Sequence, residues 1–336
     1  MIIVMRHGAS DPEIDHVIKA IEERGLRAHV SRGIERTIIG AIGDEAVVRE
    51  IPFAAFGGVE SATPIVQPYK LASRQLHPET LQIQMGPVTL GGEEIVVMGG
   101  PCSVEPGDTM MRVAKAVKEA GGAMLRGGAF KPRTSPYDFQ GLGEEGLKLM
   151  REAGDAHDMP IVTEVMDPRD VELVDRYADM LQIGARNMQN YTLLKEVGNT
   201  RTPVLLKRGM SATVKEWLMC AEYILAQGNP HVALCARGIR TFETFTRNTL
   251  DIGGVAVAKY ESHLPVVVDP SHAAGHYRWV TPLARAGVAA GADALIVEVH
   301  TAPEHAVSDG AQTLNIEKFT TLMKEVREVA KVVGRR

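Results

Sequence analysis

Residues 161–183 read Ile161-Val162-Thr163-Glu164-Val165, then Met-Asp-Pro-Arg-Asp-Val-Glu-Leu-Val-Asp-Arg-Tyr-Ala-Asp, then Met180-Leu181-Gln182-Ile183. An apolar run of strand length, a polar loop, a helical stretch over 168–177 and a second apolar run make one strand-helix-strand unit. The unit recurs on both sides of this stretch. Strands are expected at 95–98, 123–126, 161–165, 180–183, 204–207, 232–235, 266–268 and 294–297. Helices are expected around 107–120, 143–156, 168–177, 189–197, 213–226, 241–250, 276–290 and 315–332. Eight buried strands alternating with eight helices are what a (β/α)8 barrel requires. A doubly wound open sheet also alternates, but a Gly-rich phosphate turn usually follows its first strand. Here that position reads Gly99-Gly100-Pro101-Cys102-Ser103, so the barrel is the expected fold.

Upstream of the barrel the pattern changes. Ile2–Met5 is a strand candidate, and Ile14, Val17, Ile18 and Ile21 recur at helical spacing after the caps Ser10 and Asp11, up to Gly25. Residues 27–30 and 37–42 read as a strand pair, 44–55 as a helix broken near Pro52, and 59–66 as a last strand. Strand-helix-strand-strand-helix-strand is the order of a small α+β ferredoxin-like domain. The expected division is therefore 1–70 for that domain and 71–336 for the catalytic barrel. A polar linker starts at Pro68, and Leu81–Leu90 with Gly86-Pro87 at its centre reads as a hairpin.

Composition narrows the partners. The 37 Lys and Arg against 42 Asp and Glu leave a net charge of −5, so nothing points to nucleic acid or an anionic membrane surface. No apolar run is long enough to span a bilayer. The three cysteines, Cys102, Cys220 and Cys235, form no paired framework, which suits a reducing cytosol. Cys220, Cys235, Trp217 and Trp279 are expected to be packing residues.

In a barrel, chemistry sits where strands end. Those points hold Cys102, Arg126 with Lys131 and Arg133, Glu164, Arg186, Lys207 with Arg208, Arg237, Asp269 with His272, and Glu298 with His300. So many fixed cations on one rim of an acidic chain fit a small, highly anionic substrate. A solvated basic loop over 125–143 is the plainer alternative. Cys102, His272, Glu298 and Asp309 form a second set, whose mixed soft and hard donors suit Mn, Fe, Co or Zn better than Mg.

Five motifs carry a resemblance: Gly99-Gly100-Pro101-Cys102-Ser103, Lys131-Pro132-Arg133-Thr134-Ser135-Pro136-Tyr137, Ile183-Gly184-Ala185-Arg186-Asn187, Lys207-Arg208-Gly209 and Asp269-Pro270-Ser271-His272. The chain resembles the type I 3-deoxy-D-arabino-heptulosonate 7-phosphate (DAHP) synthases, in the subgroup related to 3-deoxy-octulosonate 8-phosphate synthase that carries an N-terminal ferredoxin-like domain. The resemblance implies condensation of phosphoenolpyruvate with erythrose 4-phosphate, the entry step of the shikimate pathway and of aromatic amino acid biosynthesis.

It also implies roles. Cys102, His272, Glu298 and Asp309 match the ligands of one divalent metal. Arg126, Lys131, Arg186, Lys207 and Arg237 match the phosphoenolpyruvate site, and Arg133 with Thr134 the aldose phosphate site. Lys131 is placed to protonate the forming alkoxide or orient the aldehyde, and a metal-bound water or Glu164 to manage the attacking water. The sister enzyme, which extends arabinose 5-phosphate, typically has Ala-Asn after the loop lysine, where this chain has Pro132-Arg133. An arginine fork there favours the shorter aldose.

The resemblance further implies a homotetramer, and the cysteine usage makes the cytoplasm its expected location. The resemblance also makes the ferredoxin-like domain a feedback module for tyrosine or phenylalanine, with a plain lid or oligomerisation element as the alternative. A metal-dependent aldolase that spares phosphoenolpyruvate, and a non-catalytic anion sensor, are the readings from other classes.

Overall fold

The structure is a computed structural model, and it describes residues 1–33, 36–63, 68–131, 135, 137 and 139–336. Its contacts divide the chain into two compact units, Met1–Glu79 with Glu261–His263, and Thr80–Tyr260 with Leu264–Arg336.

The first unit opens with β1 (Ile2–Met5), α1 (Asp11–Glu22), β2 (Arg27–Arg32), β3 (Thr37–Ile42), α2 (Glu45–Arg49) and β4 (Val59–Thr63). A single 3-10 turn, Phe53–Ala55, follows Pro52, because proline cannot continue a helix that needs its amide. The strands form one antiparallel sheet in the order β2-β3-β1-β4, the expected ferredoxin-like arrangement. The expected extension of the last strand to Val66 lies outside the described residues. Ser10 caps α1 in a capping box with Glu13, and Ile14, Val17 and Ile21 on one helix face pack with Ile3, Met5, Ile39 and Phe53. Three imidazoles meet in this unit. The ring centroids of His29 and His77 are 4.8 Å apart and those of His77 and His263 are 4.4 Å apart.

The second unit begins with the hairpin β5 (Ile83–Met85) and β6 (Val88–Leu90), turning at Gly86 with φ 51°. The barrel strands are β7 (Val96–Gly100), β8 (Met124–Arg126), β9 (Ile161–Glu164), β10 (Met180–Ile183), β11 (Val204–Lys207), β12 (Val232–Ala236), β13 (Val266–Val268) and β14 (Ala294–Glu298). Each pairs in parallel with the next, and β14 closes on β7. Around them run α3 (Thr109–Glu119), α4 (Glu144–Ala156), α5 (Val171–Asp175), α6 (Tyr191–Asn199), α7 (Val214–Ala226), α8 (Ile252–Glu261), the short α9 (Pro270–Ala274), α10 (Tyr277–Ala289) and α11 (Ile316–Val332). Both faces of these strands are buried, which is why they read as nearly unbroken apolar runs. Inward residues such as Met98, Met124, Val162, Met180, Leu205, Ala233, Val267 and Ile296 fill the interior, and Ile83, Met85, Val88 and Leu90 of the hairpin join them.

Two expectations fail. The helix expected over 241–250 is irregular chain, and the helix of that repeat, α8, begins at Ile252. Gly253-Gly254 disguises it, since glycine is a poor helix former. A Cβ at Gly254 would lie 2.4 Å from Asp251 Oδ2 and 2.6 Å from Arg208 Nη1, so a larger residue would push on that ion pair. Trp279, expected to pack, is 45% exposed, whereas Trp217 is buried and donates to Leu206 O at 3.0 Å. Cys220 and Cys235 are core residues as expected.

Candidate active site

The C-terminal ends of the barrel strands enclose a cavity of roughly 200 Å³. Seven cations line it among the described residues: Arg126, Lys131, Arg186, Lys207, Arg237, Arg240 and Arg247, with Glu164 as the lining acid. Strand pleating explains why Lys207 reaches this space and its neighbour Arg208 does not, because consecutive side chains leave a strand on opposite faces. Arg208 turns outward to Asp251 at 2.7 Å and stacks over the Trp217 ring, so the expectation that it serves the rim fails.

Charge in the cavity is only partly compensated. Lys207 is ion-paired with buried Asp269. Arg237 keeps Nη1 buried without a hydrogen-bond partner, and burial pulls its guanidinium below the ordinary value. A buried donor left over in a cationic pocket is what an anionic ligand would satisfy. Glu164 accepts from Gln182 Nε2 at 3.2 Å.

Beside the cavity lies a second group. Gly100, with φ 155° and space for no Cβ (one would sit 1.9 Å from Arg126 O), brings β7 close to β8 just before the chain reaches Cys102. Arg126 Nη1 donates to Pro101 O at 2.8 Å, fixing the turn. Lys131 Nζ donates to Cys102 O at 2.8 Å and Cys102 Sγ at 3.0 Å, and so joins this group to the cavity. The donor atoms of Cys102, Glu298 and Asp309 all lie within 4.8 Å of one another. Cys102 Sγ is 3.1 Å from Asp309 Oδ2. Burial, reinforced by Glu298, pushes the Cys102 thiol up to about 11 despite Lys131 and Arg126.

His272 stands at the edge of this trio. Its Nε2 is 3.3 Å from Glu298 Oε1, while Nδ1 bonds Asp269 Oδ2 at 2.8 Å. A carboxylate that accepts from Nδ1–H holds the proton on that nitrogen and leaves the Nε2 lone pair facing Glu298. Burial holds His272 below its ordinary value against the pull of Asp269 and Glu298. Burial opposes the Asp269 charge as well, but His272 and Lys207 hold that carboxyl well below the usual range.

The donor set fits a cation. Glu298 Oε1 is buried with no hydrogen-bond partner, 3.6 Å from Arg126 Nη1, and an acceptor stranded this way is costly unless something binds it. Of the sequence-derived residues, Arg126, Lys131, Glu164, Arg186, Lys207, Arg237 and His272 share the cavity, and Cys102, Glu298 and Asp309 the adjoining trio. Pro132, Arg133 and Thr134 lie outside the described residues. His300, another strand-end residue, is buried against Glu105 instead. Sequence reasoning missed the cavity residues Arg247 and Asn248, because their segment was assigned to a helix, and Arg240, which lies just before that segment. It also missed Asp269 as the residue orienting His272, and Gln312, whose Nε2 donates to Glu298 Oε2 at 2.8 Å but which is a neutral side chain with no pattern to mark it.

Residues 75–334 match the DAHP synthetase I family, and residues 1–67 match the DAHP synthase ferredoxin-like domain. The chain belongs to the DAHP synthetase I family. Its activity is that of the family, formation of 3-deoxy-D-arabino-heptulosonate 7-phosphate. Over 334 residues it is 49% identical to a phospho-2-dehydro-3-deoxyheptonate aldolase of Thermotoga maritima, covering 99% of each chain. The crystal structure of a DAHP synthase from that organism superposes with a TM-score of 0.79 at 48% identity, covering 100% of this chain and 98% of that one. A 2-dehydro-3-deoxyphosphooctonate aldolase of Geobacter sulfurreducens is more distant, 27% identical over 76% of this chain and 99% of its own. Among the described residues no helix is long and apolar enough to cross a membrane.

Proposed function

We propose that the cavity binds phosphoenolpyruvate and the aldose erythrose 4-phosphate, and that Cys102, His272, Glu298 and Asp309 hold one divalent metal beside them. The supporting observation is the pairing of seven cations around one cavity with a donor trio that strands Glu298 Oε1. Phosphoenolpyruvate carries a phosphate and a carboxylate on three carbons, so it calls for several cations and little apolar wall. Arg126, Lys131, Arg186, Lys207 and Arg237 supply them. The metal, of the Mn, Fe, Co or Zn kind, would supply Lewis-acid polarisation of the aldehyde carbonyl.

The chain's own groups do the rest. C3 of the enol attacks the aldehyde carbon, and the carbonyl oxygen gains a proton from Lys131, whose Nζ sits 3.0 Å from Cys102 Sγ at the junction of the two groups. Water then adds to C2, with Glu164 accepting its proton, and phosphate departs by C–O cleavage. Asp269 keeps Lys207 and His272 in place throughout. Arg133 and Thr134 are assigned to the aldose phosphate from the sequence alone.

Three wider assignments accompany this reading: a homotetrameric, cytoplasmic enzyme; a ferredoxin-like unit that binds tyrosine or phenylalanine as effector; and domains divided near residue 70. The deciding experiment measures inorganic phosphate released from phosphoenolpyruvate with erythrose 4-phosphate and, separately, arabinose 5-phosphate, each with EDTA and with added Mn. Release with erythrose 4-phosphate, abolished by chelation and restored by Mn, is expected. Activity that survives thorough chelation removes the metal role, and preference for the five-carbon sugar removes the acceptor assignment.

A further inference from the structure

Each carboxylate of the donor trio has two oxygens, and the structure treats them unequally. Glu298 Oε2 accepts from Gln312 Nε2 at 2.8 Å, while Oε1 has no hydrogen-bond partner. Asp309 Oδ1 accepts from Arg247 Nη1 at 3.2 Å, while Oδ2 faces Cys102 Sγ at 3.1 Å. The two restraints are linked, because Arg247 Nη1 also donates to Gln312 Oε1 at 3.0 Å. Gln312 is 2% exposed, so its amide bonds are not shared with bulk water. One further bond ties the same loop to His272, from Asn248 Nδ2 to His272 O at 2.9 Å.

We infer that Gln312 and Arg247 are positioning residues that occupy one oxygen of each carboxylate and thereby offer Glu298 Oε1 and Asp309 Oδ2 alone to a divalent cation. The assignment rests on the metal reading above. It has a physical basis: a free carboxylate can swing to bind a cation through both oxygens, and a hydrogen bond to one oxygen removes that choice.

The probe is Co2+, followed by its visible spectrum and by competition with a chromophoric chelator. The full chain is compared with Gln312→Met, which keeps volume but loses both amide bonds, and with Arg247→Met. Arg247 has a 39% exposed side chain, so its replacement should fold even if the buried change does not. The expected result is Co2+ affinity lowered about 10- to 100-fold in each variant, with an altered visible spectrum that reports a changed carboxylate mode. Arg247→Lys, which keeps a cation near Asp309, should recover part of the loss. Affinity within about twofold of the parent and an unchanged spectrum in Arg247→Met overturn the assignment, whatever Gln312→Met does. A parent chain that takes up no Co2+ overturns the metal reading and this assignment together, so the two failures are told apart.

Discussion

Asp269 shows how one residue can serve two functional neighbours. It accepts from His272 N and His272 Nδ1 and pairs with Lys207, all while buried. Replacing it with Asn keeps the shape but removes the charge that orients His272 and balances Lys207. Asp269→Asn should lower kcat about 10- to 100-fold, with metal affinity falling in parallel, checked by steady-state kinetics and metal titration. Lys131 differs in that its proposed part in the reaction is to give up a proton, while its Nζ also bonds Cys102 O and Cys102 Sγ. Lys131→Met should cut turnover by about 100-fold or more while metal content stays nearly intact, and near-normal turnover would refute its role.

The site was unevenly legible at this scale. Charged residues at strand ends were readable because barrel geometry tells where they point. Gln312 carries no charge and sits in a 3-10 turn, and Asp269 was visible only as a strand-end acid, so their partners had to be seen in space.

At the scale of elements, the strands were the easiest part to read. Burial on both faces writes them as apolar runs, and all eight expected barrel strands are present. The segment before α8 was the hardest. Asp251 accepts from Gly254 N at 2.8 Å, and the helix starts at Ile252, eleven residues after the expected position. Freed from a helix, residues 241–250 bring Arg247 and Asn248 over the donor residues.

The imidazole group of the first unit predicts a pH effect. Burial lowers His77 to about 4 and, with repulsion from His77, lowers His263 to about 3. The unfolded value is about 6.5, so protons bind the unfolded chain more tightly. Stability from these groups is therefore full above about pH 6.5 and is lost as pH falls toward 4. The loss appears as a lower Tm at acid pH. Calorimetry from pH 7.5 to 4.5 should show it, and His77→Gln should flatten the curve.

For the whole molecule, the two family matches, 1–67 and 75–334, correspond to two kinds of sequence pattern. The fold was readable in both because each repeats its own period. The regulatory role proposed for the first unit was not readable from its residues, since it gathers no catalytic groups, and the proposal came from resemblance alone. Tyrosine or phenylalanine at millimolar concentration should slow phosphate release by the full chain, and a chain lacking residues 1–70 should be active and indifferent to both. A full chain that already ignores both amino acids would rule out the feedback role.

The hairpin β5–β6 bears on how the enzyme is entered and left. Ile83, Met85, Val88 and Leu90 pack into the lower end of a barrel already filled by strand side chains. These side chains fill the end of the barrel opposite the cavity, which lies at the C-terminal ends of the strands. Ligands that share one end of a filled barrel are stacked: whatever rests deepest arrives first and departs last. Residence at the bottom of the stack then depends on what stands above it, so the departure of one product can be slowed by the other without either touching a separate inhibitory site.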